Sequence, residues 1–121
     1  MSKVAGIGVD MVEIKRVEKL LQDDRFLRRY FSPEEQTYIQ SKNAVSAQTM
    51  AGIFAAKEAF CKAVGTGITL PLREIAITHS PTGQPCYHLE GEAFARYGHL
   101  NSHLSIAHDG GCAIAFCLLE G

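Results

Sequence analysis

Residues 50–67 carry the least interrupted apolar stretch of the chain: Met-Ala-Gly-Ile-Phe-Ala-Ala-Lys-Glu-Ala-Phe-Cys-Lys-Ala-Val-Gly-Thr-Gly. Up to Val64 almost every position is apolar or small, and no sector of a 3.6-residue helix is polar enough to face solvent. The pattern predicts a buried helix, capped at Ser46 and stopped at Gly65, where a left-handed residue is favoured. Three charges interrupt it. Glu58 and Lys62 are four apart and share one side with Phe54, whereas Lys57 points elsewhere. A charge in an apolar helix is costly unless it is paired or meets an ion. The competing reading, a Glu58–Lys62 pair on a solvated face, leaves the scarcity of polar neighbours unexplained.

Ahead of this stretch, Val-Ala-Gly-Ile-Gly-Val at residues 4–9 reads as a short buried strand ended by Asp10, which also suits the cap of a following helix. Apolar positions at Met11, Val12, Ile14, Val17, Leu20 and Leu21 predict an amphipathic helix over 11–22 with Lys15, Arg16 and Lys19 outward. Asp23 and Asp24 cap a shorter turn over 25–31. Ser32-Pro33-Glu34-Glu35 has the form of a capping box with proline at the first helical position, opening a helix to about residue 42 with Tyr38 and Ile39 inward.

The second half reads as strands. Residues 73–79 and 84–90 alternate around the turn Ser80-Pro81-Thr82-Gly83, a hairpin, and 91–97 is a short helix. Residues 103–108 and 112–119 flank Asp109-Gly110-Gly111 as a second hairpin. This order indicates an α+β fold, a small antiparallel sheet packed around the long buried helix, with no linker to divide residues 1–121 into more than one domain. The strand at 112–119 is apolar on both faces, so either the helices or another subunit must cover its second side.

Composition narrows the function. At 121 residues, 46% hydrophobic and 21% charged, with a net charge of −1, the chain is too balanced for a nucleic-acid protein. Six basic residues nevertheless fall between Lys15 and Arg29, which suits a local acidic partner better than nucleic acid, and on charge alone suits a solvated helix face equally well. No leader sequence and no apolar run of about 20 residues is seen, so no membrane role and a cytoplasmic location are expected. Cys61, Cys86, Cys112 and Cys117 form no Cys-x-x-Cys pair and read as reduced core residues. His99, His103 and His108 are too loosely spaced to suggest zinc.

Two Gly-x-Gly pairs, Gly6/Gly8 and Gly65/Gly67, fall short of a dinucleotide fingerprint; the second is either a helix stop or an approach for phosphate. Asp10 and Glu58 are two carboxylates on buried elements, with Lys62 one turn beyond Glu58. Two carboxylates, with remaining positions left to water and phosphate, suit Mg²⁺, and a nearby lysine neutralises phosphate charge. The residues alone therefore support a phosphate-ester or pyrophosphate substrate. They leave open a turn histidine at His108, and a non-catalytic oligomeric module or a metal-free enzyme for the whole.

Three segments together resemble a known family: Gly6-Ile-Gly-Val-Asp10-Met-Val-Glu13-Ile-Lys-Arg16, then Phe54-Ala-Ala-Lys57-Glu58-Ala-Phe-Cys-Lys62-Ala-Val-Gly65-Thr-Gly67, and Ser105-Ile-Ala-His108 followed by Ala113-Ile-Ala115. The chain is similar along nearly its whole length to the holo-acyl-carrier-protein synthases, the small group of the 4′-phosphopantetheinyl transferases. The resemblance implies Mg²⁺-dependent transfer of 4′-phosphopantetheine from coenzyme A to a serine of apo acyl carrier protein, releasing adenosine 3′,5′-bisphosphate. By matching positions it implies Asp10, Glu58 and Lys62 as catalytic residues, with Asp10 and Glu58 on the metal. It implies Lys57, Lys62, Gly65, Gly67 and His108 at coenzyme A, and Lys15, Arg16 and Lys19 at the acidic carrier protein. Glu35, in the family's Phe-(Ser/Thr)-x-x-Glu stretch, is a further candidate. A homotrimer with active sites between subunits is implied as well. One departure stands out: Ile53 occupies a place where the family often has arginine, so affinity for coenzyme A phosphate would be either weaker or met from Lys57 or another subunit.

Overall fold

A computed structural model describes residues 3–65 and 69–121. In chain order the elements are β1 (Val4–Glu13), α1 (Ile14–Glu18), α2 (Asp24–Tyr30), α3 (Pro33–Gln40), a 3₁₀ turn (Asn43–Val45), α4 (Ser46–Val64), a second 3₁₀ turn (Leu72–Glu74), β2 (Ile75–His79), β3 (Pro85–Leu89), α5 (Gly91–Tyr97), β4 (Asn101–Asp109) and β5 (Cys112–Glu120). The fold is α+β, but the strands form two antiparallel sheets, β1-β5-β4 and β2-β3. Among the described residues no helix is long and apolar enough to cross a membrane.

The first strand runs further than its composition suggests. Pairing with β5 continues from Gly8 opposite Cys117 through Asp10 opposite Ala115 to Glu13 opposite Cys112, so residues 11–13 are strand and the expected helix over 11–22 shrinks to α1 and a turn. Met11 and Val12 are adjacent apolar residues that fit either periodicity, and the partner strand decided between them. Asp10 therefore lies within β1 and not at its end.

Alternation then sorts the faces. Gly6, Gly8, Asp10 and Val12 turn toward α4, as do the buried Ala113, Ala115, Cys117 and Leu119 of β5. The two glycines are spacers: a Cβ built on Gly6 would lie 1.9 Å from the carbonyl oxygen of Ala63, and one on Gly8 2.1 Å from that of Ala59. Helix and strand backbones thus touch, and the alanines at 51, 55, 56, 59 and 63 of α4 are buried. The opposite face of the sheet is bare in one protomer. Ile7, Val9 and Met11 of β1 and Ile114 and Phe116 of β5 are between 40% and 63% exposed.

α4 ends as expected, with Gly65 left-handed at φ 81° and its N–H donating to Lys62 O. Its start differs: Ser46 is the first helical residue and donates its hydroxyl to Ile39 O at 2.7 Å, tying α4 to α3. The capping box of α3 forms as read, with Ser32 Oγ accepting from Glu35 N and Glu35 Oε1 accepting from Ser32 N. Cys61 and Cys117 are buried, whereas Cys86 is exposed and Cys112 half-buried, so only the first two are core residues.

Lys57 corrects an expectation. Its side chain is fully buried, and its ammonium donates to Glu35 Oε1 at 2.8 Å and to the Leu72 and Ile75 carbonyls at 2.9 Å each. Three protons meet three acceptors, leaving none for coenzyme A. Glu35 Oε2 accepts from Ile77 N at 2.8 Å. Burial pushes the Lys57 pKa down and Glu35 pulls it back. Glu35 is thus a structural partner of Lys57, and the pair binds α3, α4 and the start of β2 together.

Two measurements check this architecture. Gly8→Ala should cost about 3 kcal/mol in denaturant unfolding because its methyl meets backbone that cannot yield; a loss below about 0.5 kcal/mol would refute the close approach. Lys57→Met should cost about 3–5 kcal/mol by stranding Glu35, and Lys57→Met/Glu35→Leu should recover much of that. No recovery in the double variant would mean that the pair is not the coupled unit described.

Candidate functional site

The elements just described bring Asp10, Glu58 and Lys62 to one place. Asp10 stands two residues beyond Gly8 on the same face of β1, so the contact that Gly8 permits holds it against α4. Lys62 donates to Asp10 Oδ1 at 2.9 Å and to the Val9 carbonyl at 3.1 Å, bridging helix and strand. The Asp10 side chain is 10% exposed and that of Lys62 55%. The ion-pair partner of Lys62 is therefore Asp10 across the gap and not Glu58 one turn back.

Asp10 and Glu58 line a cavity of about 380 Å³ together with Glu13 and Arg16, over an apolar floor that includes Val17, Leu20, Phe26 and Phe54. The floor continues into packed aromatic rings: Phe26 lies 5.8 Å from Phe54 and 5.0 Å from Tyr30 between centroids. Burial raises the Glu58 pKa above the ordinary carboxylate range, and the charge of Asp10 adds to this; Lys62 and Arg16 oppose it. The bond to Asp10 raises that of Lys62. The carboxylates are thus close enough to feel one another.

These donors fit Mg²⁺. Among the described residues no group of three or more His, Cys, Asp or Glu converges, so a closed protein cage of the zinc type is not offered. Two carboxylates, with the Val9 carbonyl already turned to a cation, form an open set of hard oxygens. A cation completing its shell from water and ligand phosphate is the habit of Mg²⁺.

The other candidates lie around this centre at different distances. Lys15, Arg16 and Lys19 are exposed on α1 and the turn after it, and Arg16 reaches the cavity. Gly65 is an exposed helix stop; Gly67 lies outside the described residues. His108 is not at the cavity. Its Nε2 donates to Gln48 O at 3.0 Å, ten residues before Glu58 and so about 15 Å away along α4. Gly52 makes room for it, since a Cβ there would sit 3.0 Å from the ring. His108 borders a second cavity of about 220 Å³ with Tyr38, Thr49, Ile53 and His79 among its lining residues. His79 stacks on Tyr38 at 4.0 Å, and burial first, then Lys42, lowers its pKa. Ile53, where an arginine was anticipated, is buried and lines this second cavity.

Sequence reading missed three features of the site. The Val9 and Gln48 carbonyls are backbone groups with no signature, and Gly52 sits inside a helix where only tertiary contact explains it. The Gly6-x-Gly8 pair was noticed, but its packing purpose needed the helix opposite.

Comparison with known proteins agrees with the fold. Residues 6–117 match the model of the 4′-phosphopantetheinyl transferase superfamily. The chain is 41% identical to the holo-[acyl-carrier-protein] synthase of Treponema denticola, over 98% of this chain and 99% of that protein. It is 42% identical to that of Trichlorobacter lovleyi, over 97% and 98%. Among solved structures, the Bacillus anthracis holo-(acyl-carrier-protein) synthase in complex with CoA (3′,5′-ADP) superposes with a TM-score of 0.81 at 35% identity, covering 97% of this chain and 96% of that one. The Helicobacter pylori enzyme in complex with coenzyme A gives 0.80 at 36%, covering 93% and 98%. Full-length relatives, a shared fold and a matched family pattern agree, and the chain belongs to the 4′-phosphopantetheinyl transferase superfamily, among its holo-[acyl-carrier-protein] synthases.

Proposed function

We propose that this chain transfers the 4′-phosphopantetheine group from coenzyme A to a serine of apo acyl carrier protein, releasing adenosine 3′,5′-bisphosphate, with Mg²⁺ as cofactor. The observation that carries this reading is the meeting of Asp10 and Glu58 at one cavity, with Lys62 bonded to Asp10, in a chain of this family. Residues 1–121 act as one domain, a reading supported by the family match over residues 6–117.

Asp10 and Glu58 would hold the Mg²⁺, which when bound would supply positive charge to offset that of the phosphates. The serine hydroxyl attacks the phosphorus bearing the pantetheine, in line with the bridging oxygen that leaves on the adenosine side. One P–O bond forms and one breaks, and the serine proton is released. Lys62 stabilises the charge that builds on the transferred phosphoryl group. As an exposed lysine, whose ordinary pKa lies well above neutral pH, Lys62 is assigned charge neutralisation in preference to proton abstraction. The apolar floor at Phe26 and Phe54 keeps bulk water from one side of the reacting groups.

The coenzyme contacts of His108 come from a neighbouring protomer in a homotrimer. Two observations support this: His108 bonds to α4 at Gln48, about 15 Å along the helix axis from Glu58, and the bare apolar face of the β1-β5-β4 sheet needs a cover. With its Nε2 proton committed to Gln48, His108 turns its other ring nitrogen to the ligand. Gly65 brings backbone near the coenzyme phosphates, the resemblance assigns Gly67 to the same ligand, and Lys15, Arg16 and Lys19 dock the acidic carrier protein. The reaction is cytoplasmic.

Mass spectrometry of apo carrier protein after incubation with coenzyme A, Mg²⁺ and this protein should record the added phosphopantetheine mass. That mass should vanish with chelator, and with Glu58→Gln by at least about a hundredfold in rate while the fold is kept; absence of any product from the unaltered chain would end the proposal. Arg16→Glu should raise KM for carrier protein at least about tenfold with little change in KM for coenzyme A. Equal effects on both substrates would remove Arg16 from the docking surface.

A further inference from the structure

The Lys62 ammonium sits where the metal reading places a cation. It is bonded to Asp10 Oδ1 and to the Val9 carbonyl, on the side of α4 from which Glu58 projects one turn earlier. Both acceptors are hard oxygens of the kind a divalent cation takes. An ammonium and a divalent ion cannot share them, because their charges repel at contact distance. The two bonded partners also differ in mobility. Asp10 is nearly buried in a paired strand, whereas Lys62 is more than half exposed on the last turn of α4, with a flexible stem that reaches solvent.

We propose that Lys62 is a displaceable internal counter-ion, holding the cation position between β1 and α4 in the free protein and surrendering it when a divalent cation enters. Without an external ion, its single positive charge offsets part of the two carboxylates and keeps the cavity preformed. A divalent cation replaces that charge with two, and the released ammonium becomes free to meet a phosphate. Metal entry thus prepares the lysine for coenzyme A. A phosphate that draws Lys62 away likewise opens Asp10 to metal. Linkage makes the two effects equal in size. This inference rests on the metal reading made above, and adds that one side chain serves both the empty and the loaded state.

Binding of Mn²⁺, followed by electron paramagnetic resonance without carrier protein, tests the idea apart from turnover. Lys62→Gln should bind Mn²⁺ alone about tenfold tighter than the unaltered protein, within the range usual for coupled sites. Arg16→Gln is the control: it removes a cation from the cavity wall but none bonded to Asp10, and should tighten binding by less than about threefold. Equal gains in the two variants, or no gain in Lys62→Gln, overturn displacement. As a second readout on the unaltered chain, acylation of Lys62 by an amine-reactive ester, mapped by mass spectrometry against Lys15 and Lys19, should rise when Mn²⁺ is added. Unchanged labelling also overturns it. Failure of Mn²⁺ to bind any form, even with coenzyme A present, would instead bring down the metal reading itself.

Discussion

The close approach of α4 to β1 is the constraint on which the rest of the molecule depends. A strand and a helix usually stand apart by the thickness of their side chains. Here Gly6 and Gly8 have none and α4 offers alanine, so carbonyl oxygens of the helix lie where β-carbons of the strand would be. That contact carries Asp10 to the helix, exposes the Val9 carbonyl to Lys62 and closes the sheet against the core. Small residues at these positions contribute little apolar area individually, but they let backbone dispersion and side-chain bridging act at short range.

Adjacent residues of α4 have opposite electrostatic lives. Lys57 is wholly buried and saturated by Glu35 and two carbonyls, so its charge serves architecture. One residue on, about 100° around the helix, Glu58 faces a cavity with a second carboxylate beside it and a pKa raised by burial. The first arrangement satisfies every donor; the second leaves negative charge in want of a cation. Satisfied buried charges stabilise a unique packing, whereas unsatisfied ones mark a place where a ligand is required. The helix thus supplies both the rigid support and the reactive surface from neighbouring positions.

The molecule is also incomplete on one side. The outer face of the three-stranded sheet presents isoleucine, valine, methionine and phenylalanine to solvent, which a stable isolated chain seldom does. His108 bonds to α4 at Gln48, ten residues or about 15 Å along the helix axis from Glu58. The homotrimer proposed above would cover this apolar face and bring His108 of one copy to the cavity of another in the same act.

Much of this was legible in the order of residues. The buried helix, its glycine stop, the capping box at Ser32 and the two hairpins follow from local rules of period, capping and turn chemistry, which act over a few residues and need no partner. The residues Asp10, Glu58 and Lys62 were singled out by charge in an apolar setting and by resemblance to a family. What the sequence could not say was which charge meets which. Lys57 and Lys62 are both lysines of one helix, and only the positions of Glu35 and Asp10, 22 and 52 residues away, make one structural and the other a counter-ion at the cavity. The length of β1 was likewise settled by β5, since Met11 and Val12 fit strand or helix equally until a partner strand supplies hydrogen bonds. Local patterns determine elements because their energies are local; pairings between distant residues are decided by packing, where the sum of many contacts fixes geometry that no short stretch encodes.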